Sequence, residues 1–234
     1  MNSKVEVPKR KNIILVFDVE TTGLFPKKNK YDTTPLKITD CPYILQLSYA
    51  LYDITSNKVL DTYDTYINVD KSVQIEEKIT QLTGANRELC DKGVSIIDAL
   101  KELYKGYMRA NTCVAHNVYF DQRMVLTEIE RNRDEIIKNA PECMTLFNST
   151  YEELNDVDKY CTMNKGISIC NIVLESKYPG KPPSLKWPKL VELYTKLFEN
   201  ENVEGLHNSM VDVLACLRCY MKMRHNFDCG LITI

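Results

Sequence analysis

No stretch of this 234-residue chain approaches the roughly 20 consecutive apolar residues that a membrane-spanning helix needs, so no membrane is expected as a partner. The amino end, Met1-Asn2-Ser3-Lys4-Val5-Glu6, lacks the apolar centre of a signal peptide. Disulfides have no framework either. The nine cysteines are odd in number and scattered, which points to a reducing intracellular compartment, cytoplasm or nucleus, with a viral origin open. Cys216-Leu217-Arg218-Cys219 has the C-x-x-C spacing, but no second pair or histidine follows at zinc-site spacing, so it reads as helix packing. Charge of one sign is also missing. A formal charge of -2 writes no dominant basic face into the total, although carboxylates gathered under cations would leave the remaining surface net positive. Repeats and low-complexity tracts are absent, which excludes solenoids. What remains, 44% hydrophobic and 26% charged, is the profile of a globular chain of a length compatible with one large domain over 1–234.

The strongest local signal is a short apolar run that ends in two carboxylates: Ile13-Ile14-Leu15-Val16-Phe17-Asp18-Val19-Glu20, followed by Thr21-Thr22-Gly23. In a strand, side chains alternate faces, so Asp18 and Glu20 point together while Val19 points into the other face. Paired carboxylates on a solvated strand are common. Here, however, the run is apolar on both faces, as in a buried central strand, and the carboxyl end of such a strand is where α/β folds place their sites. Two carboxylates so close repel each other unless a cation lies between them, and hard cations such as Mg²⁺ take oxygen ligands. The pair reads as half of a metal site.

Along the rest of the chain, residues 25–42 are polar and rich in Lys, Thr, Asp and Pro, which predicts an irregular excursion. Strands are predicted at 43–54 and 59–69, joined by a turn at Thr55-Ser56-Asn57-Lys58. Helical spacing follows at 75–89 and 95–109, then a strand at Thr112-Cys113-Val114-Ala115 and a long helix over about 118–138. A less regular middle contains Pro141, Tyr160-Cys161-Thr162-Met163 and Pro179-Gly180-Lys181-Pro182-Pro183, before final helices at about 187–199 and 208–224. Strands as a meander, then alternation with helices, fit an α/β fold whose mixed sheet carries helices on its faces.

Two more acids sit at comparable places. His116-Asn117-Val118-Tyr119-Phe120-Asp121 puts Asp121 in the first turn of a helix just past a strand; the helix dipole favours a carboxylate there without any function, and His116 and Asn117 could simply cap. His207-Asn208-Ser209-Met210-Val211-Asp212 repeats the arrangement. Asn208 or Ser209 is a good N-cap, which places Asp212 in the first helical turn and His207 on the preceding loop.

Singly these motifs are common, but in order they read D-x-E with T-T-G, then H-N-x-x-x-D, then H-x-x-x-x-D. The chain thereby resembles the DEDDh (DnaQ-like) 3′-5′ exonucleases of the ribonuclease H-like superfamily, over about Ile13 to Met223. Ile79-Thr80-Gln81-Leu82-Thr83-Gly84 and Ser184-Leu185-Lys186-Trp187-Pro188-Lys189-Leu190 are similar to the family's segments before its first and penultimate helices; the 25–42 insertion departs from its pattern. The resemblance implies a ribonuclease H-like fold, a mixed five-stranded sheet flanked by helices. It further implies that Asp18, Glu20, Asp121 and Asp212 hold two divalent ions, Mg²⁺ or Mn²⁺, with His207 as general base. Around them, Val19, Thr21, Thr22, Leu24, His116, Asn117 and Phe120 would meet the 3′-terminal nucleotide. The expected activity is hydrolysis from a free 3′ end of nucleic acid, single-stranded DNA or RNA with DNA favoured, releasing nucleoside 5′-monophosphates, with a polymerase as a possible partner. Two alternatives stay open: an oligoribonuclease-like or RNA-trimming enzyme, and a module that binds nucleic acid or a polymerase without cutting. Loss of an acid would mark the latter, and all four acids and the histidine are present.

Overall fold

The computed structural model describes residues 12–29, 33–176, 180, 182–199, 201 and 203–230. The amino end and parts of the 25–42 and 179–183 segments therefore lie outside the described residues. Five strands form one mixed sheet: β1 (Ile13–Thr21), β2 (Ile44–Asp53), β3 (Lys58–Tyr66), β4 (Thr112–Ala115) and β5 (Asp158–Cys161), in the order β3-β2-β1-β4-β5. β1 runs antiparallel to β2 and parallel to β4, so it is the central strand on which both halves of the sheet hang. Its alternation sorts two cores. Leu15, Phe17 and Val19 face one apolar layer with Leu100, Leu103, Met124 and Val125, whereas Ile14 and Val16 face the other with Leu193, Val213 and Leu217. Asp18 and Glu20 continue the Ile14–Val16 series and thus face the second layer.

That second layer is built mainly by α8 (Leu190–Leu197) and α9 (Ser209–His225). The first is covered by α1 (Glu77–Thr83), α2 (Arg87–Asp91), α3 (Ile96–Tyr107) and α4 (Val118–Arg131), with α5 (Arg133–Asn139), a 3-10 turn (Pro141–Thr145) and α6 (Ser149–Leu154) following. After β5 comes α7 (Thr162–Cys170), and a short hairpin of β6 (Val173–Leu174) and β7 (Ser184–Leu185) leads into α8.

Several expected elements are revised. The helix expected over 75–89 is two helices, because Gly84 terminates α1 at φ 75° and the Asn86 side chain caps α2 by accepting from the Leu89 amide. The helix expected over 118–138 breaks at Asn132, and the last two start three residues late and one residue late, behind the N-caps Lys189 and Asn208. Strand β3 stops at Tyr66. β5 and α7 fall in the middle read as irregular, since Asp-Lys-Tyr-Cys is too short to show alternation and Thr-Met-Asn-Lys-Gly-Ile-Ser-Ile-Cys is poor in strong helix formers.

The exit of the 25–42 excursion is pinned by a buried ion pair. Arg131 lies 2.5 Å from the Glu128 carboxylate, and its guanidinium donates to the carbonyls of Cys41 and Pro42 and covers the Tyr43 ring at 3.7 Å. Glu128 in turn accepts from the Ile44 amide at 3.0 Å. One α4 turn thus fixes where the excursion ends and β2 begins. Replacing Arg131 by Met strands Glu128 in the interior, and the expected loss is about 3 kcal/mol, read as a lower urea midpoint. The Glu128→Leu, Arg131→Met double variant should lose less than the single one; an equal or greater loss would show that the carbonyl contacts dominate.

Candidate active site

Asp18, Glu20 and Asp212 meet at the carboxyl end of β1, where one carboxylate oxygen of each lies within 4.8 Å of the others. Strand and helix both contribute. β1 supplies two acids by alternation, and the first turn of α9 supplies the third, its N-cap Asn208 accepting from the amides of Met210 and Val211. The register between them is stapled: the Ser209 hydroxyl donates to the Asp18 carbonyl at 2.8 Å, and the Ser209 amide approaches the Gln46 side-chain oxygen of β2 at 3.4 Å. Gln46 and Ser48, both fully buried, donate to Asp64 at 2.8 and 2.6 Å. Sequence reading passed over Ser209 and Gln46 as positioning residues. A polar Gln46 in an otherwise buried β2 was the available signal.

Asp121 stands behind this trio. It is buried on α4, and its carboxylate accepts from the Val19 amide at 3.3 Å, so it grips the strand between the two β1 acids. His207 is exposed, in a left-handed conformation at φ 72°, and its amide donates to both oxygens of Asp212 at 3.3 Å. The backbone beside the histidine thereby fixes the acid.

Burial is the main force acting on these acids, and repulsion adds to it. Glu20 is pushed up to about 8 by desolvation and then by Asp212; Asp212 rises to about 6 through desolvation, against the opposing pull of the His207 amide. Asp18 lies well above the usual carboxylate range through burial and then the charges of Asp121, Asp212 and Glu20. A half-buried set of acidic oxygens so penalised in its charged form is the donor set that a hard divalent cation fits.

The residues expected around the terminal nucleotide divide. The Thr22 amide donates to the Tyr43 carbonyl and its hydroxyl accepts from the Tyr43 amide, while the Thr21 hydroxyl donates to the Gly23 carbonyl, so both threonines shape the turn. Leu24 is 78% exposed beside a cleft of about 410 Å³ that the excursion residues Thr39 to Tyr43 help to line. Asn117 sits at φ 85° at the start of α4, and Phe120 packs its edge on Phe25, whose ring lies 3.7 Å under Arg123. His116 is tied to the scaffold at both nitrogens. Burial holds its ring neutral, down to about 4; Nε2 donates to the Pro188 carbonyl at 3.0 Å, and Nδ1 accepts from the Thr162 hydroxyl at 3.0 Å. In the described structure it braces the site.

A family model described as exonuclease, RNase_T, matches residues 15–220, and the chain belongs to that family. Its fold is that of the DEDDh 3′-exonucleases. The nuclease domain of 3′hExo, a DEDDh family member bound to rAMP, superposes with a TM-score of 0.59 at 14% identity, covering 95% of this chain and 96% of that one. Exonuclease I of E. coli, in complex with a 5cy-dT13 oligonucleotide, gives 0.61 at 15% identity over 93% of this chain and 42% of that one. Among curated sequences, the PolC-type DNA polymerase III of Mycoplasmopsis pulmonis is 27% identical over 121 residues, and that of Thermotoga maritima 26% over 117 residues. Those matches take up 52% and 50% of this chain but only 7% of each polymerase. By family the chain is an exonuclease. No described helix is long and apolar enough to cross a membrane.

Crowded acids raise a stability test that needs no substrate. A carboxylate whose pKa is raised on folding stabilises the fold fully below its unfolded value, near 4, and loses that contribution as pH climbs through the folded value. His116, lowered on folding, acts oppositely, but only between about pH 4 and 6.5. Without divalent ions, stability should therefore fall from pH 6.5 to 8, and 10 mM Mg²⁺ or Mn²⁺ at pH 8 should raise the melting temperature by about 3–6 °C. Glu20→Gln should be at least as stable as the parent in EDTA and gain less from the ion. A parent melting temperature indifferent to pH, EDTA and both ions would sink the cation reading.

Proposed function

We propose that this chain hydrolyses the terminal phosphodiester at the 3′ end of a nucleic acid strand, DNA in preference to RNA, and releases nucleoside 5′-monophosphates. The observation that carries the reading is the convergence of Asp18, Glu20 and Asp212, with Asp121 behind them, at the carboxyl end of a central strand in a chain of the exonuclease family. These four acids would hold two divalent ions, Mg²⁺ or Mn²⁺. When bound, such ions neutralise the phosphate, acidify water and stabilise the attacking and leaving oxygens of an in-line displacement.

The chain's own residues do the rest. His207, on an exposed turn anchored through its amide to Asp212, takes the proton from the attacking water; an imidazole is suited to that transfer near neutral pH. The Asp121 carboxylate holds the Val19 amide, and Ser209 holds the Asp18 carbonyl, so the donor atoms keep their places against mutual repulsion. The terminal nucleotide rests against Val19, Thr21, Thr22 and Leu24 on one side and Asn117 and Phe120 on the other. DNA is favoured by the PolC-type polymerases among the relatives and by the oligonucleotide complex of Exonuclease I. RNA is the second reading, because 3′hExo, which matches over nearly its whole nuclease domain, was crystallised with rAMP. The chain spans 7% of the first polymerase relative, and a proofreading role would set this domain to work beside a polymerase.

On 5′-labelled single strands of DNA and RNA, the parent should give a metal-dependent ladder shortening from the 3′ end, with DNA faster. Asp212→Asn should lower the rate by about 10³-fold or more. His207→Ala should lose about 10²- to 10⁴-fold while calorimetry still detects ion binding. Ion binding lost with His207 would make it a ligand or a prop, and a ladder equal in Asp212→Asn and parent would overturn the assignment.

A further inference from the structure

We propose that Trp187 is a stacking platform for a base of the substrate strand on the 5′ side of the scissile bond. This rests on the exonuclease reading and adds a contact beyond the terminal nucleotide. Trp187 is the only tryptophan of the chain and is 65% exposed, an expensive place for the largest apolar side chain unless something covers it. Its backbone, by contrast, is held on both sides.

Upstream, the Lys186 amide donates to the Ile172 carbonyl at 2.9 Å; downstream, Pro188 is buried, and the Lys189 amide donates to the Glu192 carboxylate at 2.7 Å. Pro188 also packs over Gly166 of α7, where an added Cβ would meet its Cγ at 3.3 Å. The ring therefore stands out from a fixed base. Little ordering entropy remains to be lost when a flat partner docks on it.

Its location follows from the sheet. β1 and β4 are paired in parallel with Val16 beside Val114, so Asp18 and His116, each two residues further on, lie at the same end of two neighbouring strands. His116 Nε2 donates to the Pro188 carbonyl, and Trp187 is the next residue back. One imidazole and one hydrogen bond thus link the end of β4, next to the strand that carries Asp18, to the segment that carries Trp187, so the ring stands at the same end of the sheet as the acids.

Charge favours the same occupant. Lys186 and Lys189 stand on either side of Trp187 in the chain; Lys186 pairs with Glu192, whose other oxygen accepts from the Lys189 amide, so two cations and one carboxylate leave the segment net positive and suited to a phosphate backbone. Aromatic platforms beside cations bind single strands with little sequence preference, at about 1–3 kcal/mol per stacked base.

The test uses the full chain and oligothymidylates of two and twelve residues, dT2 and dT12. The dT12-to-dT2 ratio of kcat/KM should fall about 5- to 100-fold in Trp187→Ala and recover largely in Trp187→Phe. In EDTA, where cleavage stops, dT12 should quench the lone tryptophan of the parent and dT2 should not. An unchanged ratio, or an equal loss on both substrates, would overturn the platform, as would dT12 binding without quenching. If the parent cuts neither strand but dT12 still quenches Trp187 in EDTA, the exonuclease reading fails and the platform stands.

Discussion

Everything at the upper end of this sheet is organised by the repulsion among carboxylates that face one another half-buried. Asp18 and Glu20 cannot separate, because strand alternation puts them on one face, and Asp212 is brought against them by the docking of α9 on that face. The fold opposes the repulsion with contacts from the backbone of neighbouring segments. Asp121 takes the Val19 amide, Asp212 takes the His207 amide, and the Ser209 hydroxyl takes the Asp18 carbonyl. The His207 tie is local, but the other two join elements distant in sequence, so the acidic constellation is a product of tertiary assembly.

A second tier of buried polar contacts sets the rigid bodies that carry those ties. Gln46 couples β2 to the start of α9, Glu128 and Arg131 couple α4 to the start of β2, and His116 couples β4 to α7 and to the entry of α8. Such groups cost free energy to bury and add little stability when satisfied, but they are intolerant of displacement. A layer of apolar side chains alone could slide by a few tenths of an ångström; a neutral imidazole donating at one nitrogen and accepting at the other cannot. Placement of polar groups, more than depth of hydrophobic burial, determines the position of the site.

What was legible in the sequence follows the same division. Local physics showed the β1 acids, since alternation and the apolar run need no knowledge of partners, and the Asn208 cap, since side-chain acceptance of a helix amide is short-range. β5 was not legible: Asp158, Lys159, Tyr160 and Cys161 become a strand only because β4 offers an open edge. His116 carried two readings, as cap or as site residue, and neither describes a ring whose partners, Thr162 and Pro188, are 46 and 72 residues away. The positioning roles of Ser209 and Gln46 were not legible for the same reason, their partners being 191 and 163 residues distant. The family resemblance supplied the fifth strand in number but not in place.

The balance of charge also acquires a reading from the site. A formal charge of -2 gives little long-range attraction to a phosphate backbone, and the ion-free acidic cluster would repel the scissile phosphate at short range. Divalent ions held by the same oxygens would reverse the local sign, so ion binding and strand binding on the proposed site become linked, each strengthening the other by an equal free energy. A strand lying over Trp187 adds affinity through stacking, a term far less sensitive to salt or to the ions than the contacts at the scissile phosphate. The protein would thus grip its substrate at two points governed by different physics. One is electrostatic and conditional on the ions. The other is apolar and always present, so a strand could remain held while its end is repositioned between successive cuts.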